Sequence, residues 1–332
     1  MYAAWHRTND DGCAIAQQYA DRLRLAEACD RLGFYAYHLA VHHFTPQGGR
    51  RRICSCRAPH SAQGNFVVAR WSLLSLHHPL RAFEEICMLD HLSGGSVEMG
   101  IGRGSLPIKL GHFGIDADDV PERYLEASEI LMAAMKGGTL FYRGHHFPLD
   151  NVPLALMPRQ GPYPPTWIAT NRTEAARWAT THGANIASVG PAAFVREITE
   201  PYRAVEGCNT GTGTASKPSF VGLLRMIVVG QSASHAYSLA APAFGRWLRN
   251  FRYLYDLNSI PVSSNLPRTF DAAVESELCV AGTAAFIRRT PLDQLQEAAA
   301  NPNRVSVIAL GQAILKGDLF STATFRNHQR FF

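Results

Sequence analysis

The sequence has no apolar run that approaches the roughly 20 residues needed to cross a bilayer. It also lacks a basic start followed by an apolar stretch, the pattern of a secretory signal. Its 7 cysteines are dispersed and odd in number, which is typical of a reducing compartment rather than of a disulfide framework. We therefore expect a soluble, cytoplasmic protein.

A strong charge excess is also missing. The formal net charge is +5, and the arginines are scattered apart from one cluster at Arg50, Arg51 and Arg52. A nucleic-acid-binding protein usually carries a basic stripe along one face, and none is visible here. We expect neither a nucleic acid nor a membrane as partner.

What the sequence does contain is a regular alternation of helical and strand-like segments. The 332 residues, 46% of them hydrophobic, are enough for a large core. Helical spacing covers about 14–32, 80–92, 122–135, 173–182, 191–205 and 233–254, with part of 272–288; the expected strands are FYAYHLAV, FVVARWSLLSL, SVEMGIG, TWIAT, ANIASV, FVGLLRMIVV and VSVIALG. This alternation predicts a parallel α/β sheet, open or closed. Between about 139 and 165 prolines and glycines interrupt the pattern, which predicts a surface excursion.

Three stretches carry a resemblance to a known family: AYHLAVHHFTP, HHPLRAFEEICMLDHLSGGSVEMGIGRG and PYPPTWIAT. In their order and spacing they resemble the luciferase-like flavin-dependent monooxygenases, from about Tyr19 to about Leu319. The resemblance implies a single (β/α)8 TIM-barrel domain over residues 1–332, with reduced FMN at the C-terminal mouth of the barrel. It further implies a small organic substrate, O2, a separate flavin reductase and a homodimer.

The resemblance also assigns site residues. His42, the first histidine of the HHF motif, would lie beside the flavin, where a neutral imidazole can act as a general base. His43 would then be structural. Gly102 and Arg103, at the end of the SVEMGIG strand, would hold the flavin, since glycine permits close backbone approach and arginine can fork onto a phosphate or pyrimidine edge.

The flavin phosphate would lie at the start of the helix that follows TWIAT. There Asn171, Arg172 and Thr173 would present free N–H groups and the positive end of the helix dipole. Arg172 stands where the family has a small hydroxyl residue. A plain helix cap is the alternative interpretation of these residues.

Several departures from the family favour other functions. Val41 replaces the glutamate that precedes the two histidines, and no apolar strand is visible in MYAAWHRTNDDGC. The segment between Pro46 and Phe66 lacks a helical period, and so does the tail after Leu319. The barrel is therefore expected without a clear first strand or last helix. An inactive flavin-binding remnant or subunit is one alternative, and a deazaflavin-dependent oxidoreductase of the same barrel family is another.

No metal site is expected. His77–His78 and His145–His146 are adjacent pairs, and neighbouring residues on a strand point to opposite faces, so each pair would offer at most one ligand. No HExxH pattern completes a site, and Cys54 and Cys56 lack a second pair at zinc spacing. A metal-dependent barrel hydrolase is thus the weakest alternative.

Overall fold

The computed structural model describes residues 15–31, 34–39, 41–46, 67–104, 106–208, 220–262, 266–298 and 305–310. These residues fall into two compact units. The smaller unit lies within 38–44 and 49–167, and the larger unit lies within 1–37, 45–48 and 168–332. The strands β1 (Ala36–Leu39) and β6 (Thr166–Ala169) contribute residues to both.

The smaller unit is a parallel sheet with helices after its strands. Its elements, besides the parts of β1 and β6, are β2 (Val67–Leu73), a 3-10 turn (Leu74–Leu76), α2 (Pro79–Leu92), β3 (Val97–Gly102), α3 (Pro107–Gly111), α4 (Val120–Ala134), β4 (Gly138–Tyr142) and β5 (Leu149–Leu154). The strand order is β1-β2-β3-β6, and β2 pairs with β3 from Val68↔Val97 to Leu73↔Gly102. All six residues of β3 are buried, as expected for a central parallel strand.

The expected surface excursion contains a β-hairpin. β4 and β5 form a separate two-stranded antiparallel sheet, with Gly138 opposite Leu154 and Tyr142 opposite Leu149. Residues 143–148 join the two strands, and His145 and His146 lie in a bend there. The sequence conceals the hairpin because β5 carries a proline and two adjacent exposed polar residues, Asp150 and Asn151, whereas strand prediction depends on apolar alternation.

The larger unit continues the parallel pattern. It contains α1 (Ile15–Arg31), α5 (Thr173–Thr181), β7 (Asn185–Ser188), α6 (Ala192–Cys208), β8 (Val221–Val229), α7 (Ala233–Leu257), α8 (Phe270–Glu275), β9 (Cys279–Gly282), α9 (Ala284–Ala298) and β10 (Val305–Leu310). The strand order is β6-β7-β8-β10, and β9 pairs with the second half of β8, from Met226↔Cys279 to Val229↔Gly282. Helix α7 packs through Ala240 and Phe244 onto a core that includes Met226 and Val228.

A buried arginine lies on β8. The Arg225 side chain is 0% exposed, and its Nη2 donates to Oε2 of Glu277 at 3.1 Å. Its Nε donates to Oε1 of Gln294 at 2.8 Å, and its Nη1 donates to the carbonyl of Gly190 at 2.9 Å. Burial lowers the pKa of Arg225, while the Glu277 carboxylate opposes that shift. The charge is thus retained through one carboxylate and several hydrogen-bond acceptors.

The predicted alternation of helices and parallel strands is confirmed, and the described strands form no closed barrel. Strand β9 was not predicted, because its four residues are too short to show a period inside the partly helical 272–288 stretch. The expectations for 1–14, 47–66, 209–219 and 311–332 fall outside the described residues. None of the described helices is both long and apolar enough to cross a bilayer.

Candidate functional site

The carboxyl ends of β1, β2 and β3 carry the candidate site of the smaller unit. β2 and β3 pair in parallel, so the segments that follow them emerge at the same edge. Ring contacts of His43 with Phe113 and of Phe44 with His112 bring the segment after β1 to the one after α3. His42 and His43 follow β1, Ser75 follows β2, and Arg103 follows β3. The structure thus places three of the predicted site residues, His42, Gly102 and Arg103, in the same unit.

The two histidines have different surroundings. The ring of His43 meets the edge of Phe113 with ring centroids 5.1 Å apart, and Phe44 packs against Phe113 at 5.4 Å and His112 at 5.1 Å. Phe44 has a φ of 58°, a conformation rare for a bulky residue, and these ring contacts help to hold it. His43 is therefore part of an aromatic cluster, and it is half-buried, as are His42 and Val41.

The backbone of Arg103 is fixed by two residues that the sequence did not suggest. The buried hydroxyl of Ser75 donates to the Arg103 carbonyl at 2.5 Å, and Nε of Arg123 donates to the Ser75 carbonyl at 2.9 Å. The Arg123 guanidinium also lies 4.6 Å from the centre of the Phe147 ring, a cation–π arrangement. These contacts connect the segment after β3 to that after β2 and to α4.

The side chain of Arg103 is half-buried, and its guanidinium forms no ion pair or hydrogen bond with the described part of the chain. Burial raises the pKa of the nearby Tyr124 to about 12, although a hydrogen bond with Ser128 and the charge of Arg103 act in the opposite direction. The phenol therefore remains protonated at neutral pH and can donate a hydrogen bond. A half-buried guanidinium that has no carboxylate partner among the described residues is a group that would bind an anion.

Two glycines flank Arg103. A Cβ at the buried Gly102 would meet the side chain of Leu73 at 3.6 Å, an ordinary van der Waals contact. Gly104 has a φ of +86°, a backbone conformation that other residues rarely adopt. The first glycine thus adds no side chain beside Arg103, and the second allows the turn that carries Arg103.

Asn171, Arg172 and Thr173 belong to the larger unit. The amide of Asn171 is already engaged: its Oδ1 accepts from Oγ of Ser188 at 2.8 Å and from the N–H of Val189 at 3.1 Å, and its Nδ2 donates to the Val189 carbonyl at 2.8 Å. This side chain therefore ties the start of α5 to the end of β7.

Helix α5 begins at Thr173, and Arg172 occupies the N-cap position without a side-chain cap hydrogen bond. The exposed Arg172 guanidinium lies 3.6 Å from the carboxylate of Glu174. The first turn of α5 thus has a cation beside it and no capping oxygen, an arrangement that suits an anion.

The MLDHLSGG motif has a structural role in the described chain. Asp90 is 0% exposed, and its two carboxylate oxygens accept from the backbone N–H and the side-chain Nε2 of Gln160, both at 2.8 Å. Oγ of Ser93 accepts from the N–H of Ser96, and Gly94 and Gly95 have φ values of +66° and +92°. The motif ends α2 and anchors the segment that precedes β6.

Three buried side chains, one each from β1, β3 and β6, contact one another. Nε1 of Trp167 donates to Oε2 of Glu98 at 2.5 Å, and the ring of His38 meets Trp167 edge-on with centroids 5.2 Å apart. His38 is 4% exposed, and burial lowers its pKa to about 3. The imidazole is therefore neutral at every physiological pH.

The structure corrects the argument made for His145 and His146. The two residues lie in a bend between β4 and β5, not on a strand, so their side chains do not point to opposite faces. Nδ1 of His145 lies 3.7 Å, and Nε2 of His146 lies 3.4 Å, from the same oxygen of Glu122. A spacing rule for strands could not have shown this group.

The fold and the strand-end site define an α/β protein of the parallel-sheet class, and comparison with known proteins gives the family. The family profile for luciferase-like monooxygenases matches residues 2–301. The chain belongs to this family, which confirms the resemblance noted in the sequence.

Relatives extend over very different shares of the chain. Uncharacterized protein y4wF of Sinorhizobium fredii is 61% identical over 332 residues, covering 98% of this chain and 95% of that protein. Limonene 1,2-monooxygenase of Rhodococcus erythropolis is 30% identical, over 47% of this chain and 40% of its own length. The oxygenase component of a flavin-dependent trigonelline monooxygenase from Acinetobacter baylyi is 25% identical, over 51% and 48%.

Solved structures share the fold over most of the chain. Monooxygenase RslO1 of Streptomyces bottropensis superposes with a TM-score of 0.78 at 20% identity, covering 92% of this chain and 90% of that one. The oxygenating constituent of 3,6-diketocamphane monooxygenase from Pseudomonas putida, in complex with FMN, gives 0.70 at 14%, covering 92% and 89%. An F420-dependent secondary alcohol dehydrogenase gives 0.66 at 15%, covering 89% and 90%. These likenesses show that the chain shares the fold of these proteins.

Proposed function

We propose that the protein is the oxygenase of a two-component, flavin-dependent monooxygenase, which takes reduced FMN from a separate reductase and uses O2 to oxidise a small organic substrate. The observation that carries the proposal is the Arg103 guanidinium, which has no ion pair or hydrogen bond among the described residues and stands beside Gly102 at the carboxyl edge of parallel strands. Bound reduced FMN would supply the electrons that activate O2. The residues of the chain would bind the flavin and the substrate, orient them, and transfer protons.

The residues of the smaller unit fit a flavin. Arg103 can direct its fork of N–H donors to an anionic or carbonyl-bearing group, and Gly102 offers no side chain that would block a planar ring. Ser75 and Arg123 fix the Arg103 backbone, so the guanidinium is presented from a constrained position. Preorganisation of this kind lowers the entropic cost of binding.

The residues of the larger unit fit a phosphate, although Arg172 stands where the family has a small hydroxyl residue. The uncapped first turn of α5, which begins at Thr173, and the charge of Arg172 would bind the anion. Asn171 would act indirectly, because its amide holds β7 rather than pointing free. Glu174 would compete with a phosphate for Arg172, so we expect this ion pair to open when the anion binds.

His42 is the proposed general base. Its half-buried imidazole follows β1 at the same edge as Arg103, whereas His43 is fixed in the aromatic cluster. At Val41 the side chain provides no carboxylate to orient the imidazole. The base would therefore depend on other contacts for its orientation, and Val41→Glu is expected to increase the rate of substrate oxidation rather than the affinity for flavin.

The test is anaerobic titration of the protein with reduced FMN, followed by oxygen uptake. Arg103→Ala should weaken binding by about 10-fold or more, since hydrogen bonds to a charged group contribute about 1.5–3 kcal/mol. Arg81→Ala, an exposed arginine on α2, is the matched control and should bind as the parent does. Unchanged affinity in Arg103→Ala would refute the assignment. Binding of a deazaflavin in place of FMN, without oxygen uptake, would support the hydride-transfer alternative instead.

A further inference from the structure

We propose that Glu122, His145 and His146 form a binding site for one divalent transition-metal ion of the kind that imidazole ligands favour, such as Zn2+. The three side chains lie in the smaller unit, on the first turn of α4 and in the bend between β4 and β5. The proposed flavin residues are not part of it. The inference therefore stands or fails independently of the proposed function.

Two of the three distances between donor atoms are close to those around a tetrahedral ion. Oε2 of Glu122 lies 3.7 Å from Nδ1 of His145 and 3.4 Å from Nε2 of His146, and all three donor atoms lie within 4.8 Å of one another. Ligands about 2.0–2.2 Å from a tetrahedral zinc ion are about 3.3–3.6 Å apart. The His145 side chain is 72% exposed, so it can rotate to adjust its own distances.

The Nε2 atom of His146 is the second, independent indication of a ligand. The His146 side chain is only 8% exposed, and this buried nitrogen has no hydrogen-bond partner among the residues that the structure describes. Its approach to Glu122 does not have hydrogen-bond geometry. A buried polar atom without a partner is uncommon in folded proteins, and a metal ion between His146 and Glu122 would satisfy it.

The backbone around the two histidines is held in place by a neighbouring carboxylate. Oε1 of Glu126 accepts from the N–H of His145 at 2.7 Å, and its Oε2 accepts from the N–H groups of His146 and Phe147 at 3.0 and 3.1 Å. Glu126 is one helical turn after Glu122 on α4, so both project from the same face. Glu126 is thus a positioning residue that holds the bend against the helix that carries Glu122.

Two histidines and one carboxylate are a set that binds zinc and other late first-row metals. Three protein ligands leave a fourth position of a tetrahedral ion open to solvent, because Glu122 and His145 are both exposed. The ion would therefore cross-link the β4–β5 loop to α4 and retain one exchangeable ligand. Calcium and magnesium, which prefer oxygen ligands, fit this set poorly.

The experiment is metal titration of the full chain after chelator treatment, with Zn2+ for stoichiometry and Co2+ for its visible absorption. Glu122→Gln and His145→Ala change exposed side chains and should leave the fold intact. Each should weaken binding by at least about 100-fold, since even the loss of an outer-sphere partner typically costs 10–100-fold. Intense Co2+ bands, typical of tetrahedral coordination, should disappear with them.

Glu84→Gln and His91→Ala on α2 are matched controls, because both residues are exposed in the same unit. Other histidines and cysteines of the chain could also take up metal, so the readout is the difference of one equivalent between the parent and each variant. Unchanged binding in Glu122→Gln and His145→Ala would overturn the proposal. So would an equal loss in the two controls, whereas failure of flavin binding would leave it intact.

Discussion

The bend that carries His145 and His146 is expected to depend on a single buried carboxylate. Glu126 is 6% exposed and accepts three backbone hydrogen bonds from consecutive residues of the bend. Glu126→Gln preserves the shape of the side chain but replaces one acceptor oxygen with an amide donor. In the best orientation of the new side chain, its neutral amide oxygen still accepts hydrogen bonds from the N–H groups of His146 and Phe147. Its NH2 group then faces the N–H of His145, and that hydrogen bond is lost.

The expected cost follows from these bonds. A hydrogen bond to a charged acceptor contributes about 1.5–3 kcal/mol and a neutral one about 1 kcal/mol. The substitution replaces three hydrogen bonds to a charged acceptor with two to a neutral one. The contribution of the bonds from His145 and His146 is smaller because they are only part-buried, so we expect the free energy of unfolding to fall by about 2–3 kcal/mol. For a chain of 332 residues that melts as a whole, this lowers Tm by about 3–4 °C.

The assay is thermal unfolding followed by circular dichroism at fixed pH. Glu129→Gln is the matched control on the same helix, since Glu129 is exposed and, within the described part of the chain, accepts only the hydroxyl of Tyr142, at 2.6 Å. Its Tm should stay within about 1 °C of the parent, as for most surface substitutions. If Glu126→Gln also stayed within 1 °C, the carboxylate would not hold the bend, and the reasoning would be refuted.

Three further predictions concern buried polar groups. Burial holds the pKa of His38 at about 3, against an ordinary 6.5, so the unfolded chain binds more protons than the folded one between these values. The free energy of unfolding is therefore complete above about pH 6.5 and is lower by about 2 kcal/mol at pH 5. Denaturant titration at several pH values measures this difference. Gly144→Ala would place a methyl group against the Glu126 carboxylate, and overpacking of this kind costs about 1–3 kcal/mol, measured as a lower Tm. Glu277→Gln removes the only carboxylate that Arg225 contacts in the described chain, and we expect a loss of about 1–3 kcal/mol, less than for complete removal because other acceptors remain.

Each of these has a control. His38→Gln should flatten the acid limb of the stability profile, and an unchanged limb would contradict the assignment to His38. Gly111→Ala, at a position with open space around it, should not lower Tm. Asp256→Asn breaks an exposed ion pair with Arg252 and should change stability by less than about 1 kcal/mol. A larger effect there than in Glu277→Gln would contradict the role given to the buried arginine.

The repeating fold was predictable because its elements carry local signals. Helix α2 has apolar residues at helical spacing and ends at Ser93, Gly94 and Gly95, and the apolar run SVEMGIG is long enough to indicate a buried strand. Strand β9 and the β4–β5 hairpin were missed for the opposite reason. The first is four residues long, and the second has mostly exposed positions.

The candidate site was predictable only where a motif names its residues. His42, Gly102 and Arg103 come from the resemblance, and their roles stay predictions. The hydrogen bond from Ser75 to Arg103 joins residues 28 positions apart, and the one from Arg123 to Ser75 joins residues 48 positions apart. In both, the acceptor is a backbone carbonyl. A carbonyl is present at every residue, so such bonds leave no sequence pattern. The Glu122 group was missed because the rule applied to His145 and His146 holds for strands alone.

The hydrogen bonds around Arg103 also limit how the protein can be redesigned. A turn exchanged between relatives at residues 102–104 would arrive without the hydroxyl and guanidinium that fix it here, because Ser75 and Arg123 lie on other segments. Chimeras that alter this turn should therefore be built from all three segments at once. Natural variation is under the same restriction: a change at Ser75 alters the setting of Arg103 even though it replaces no residue of the turn itself.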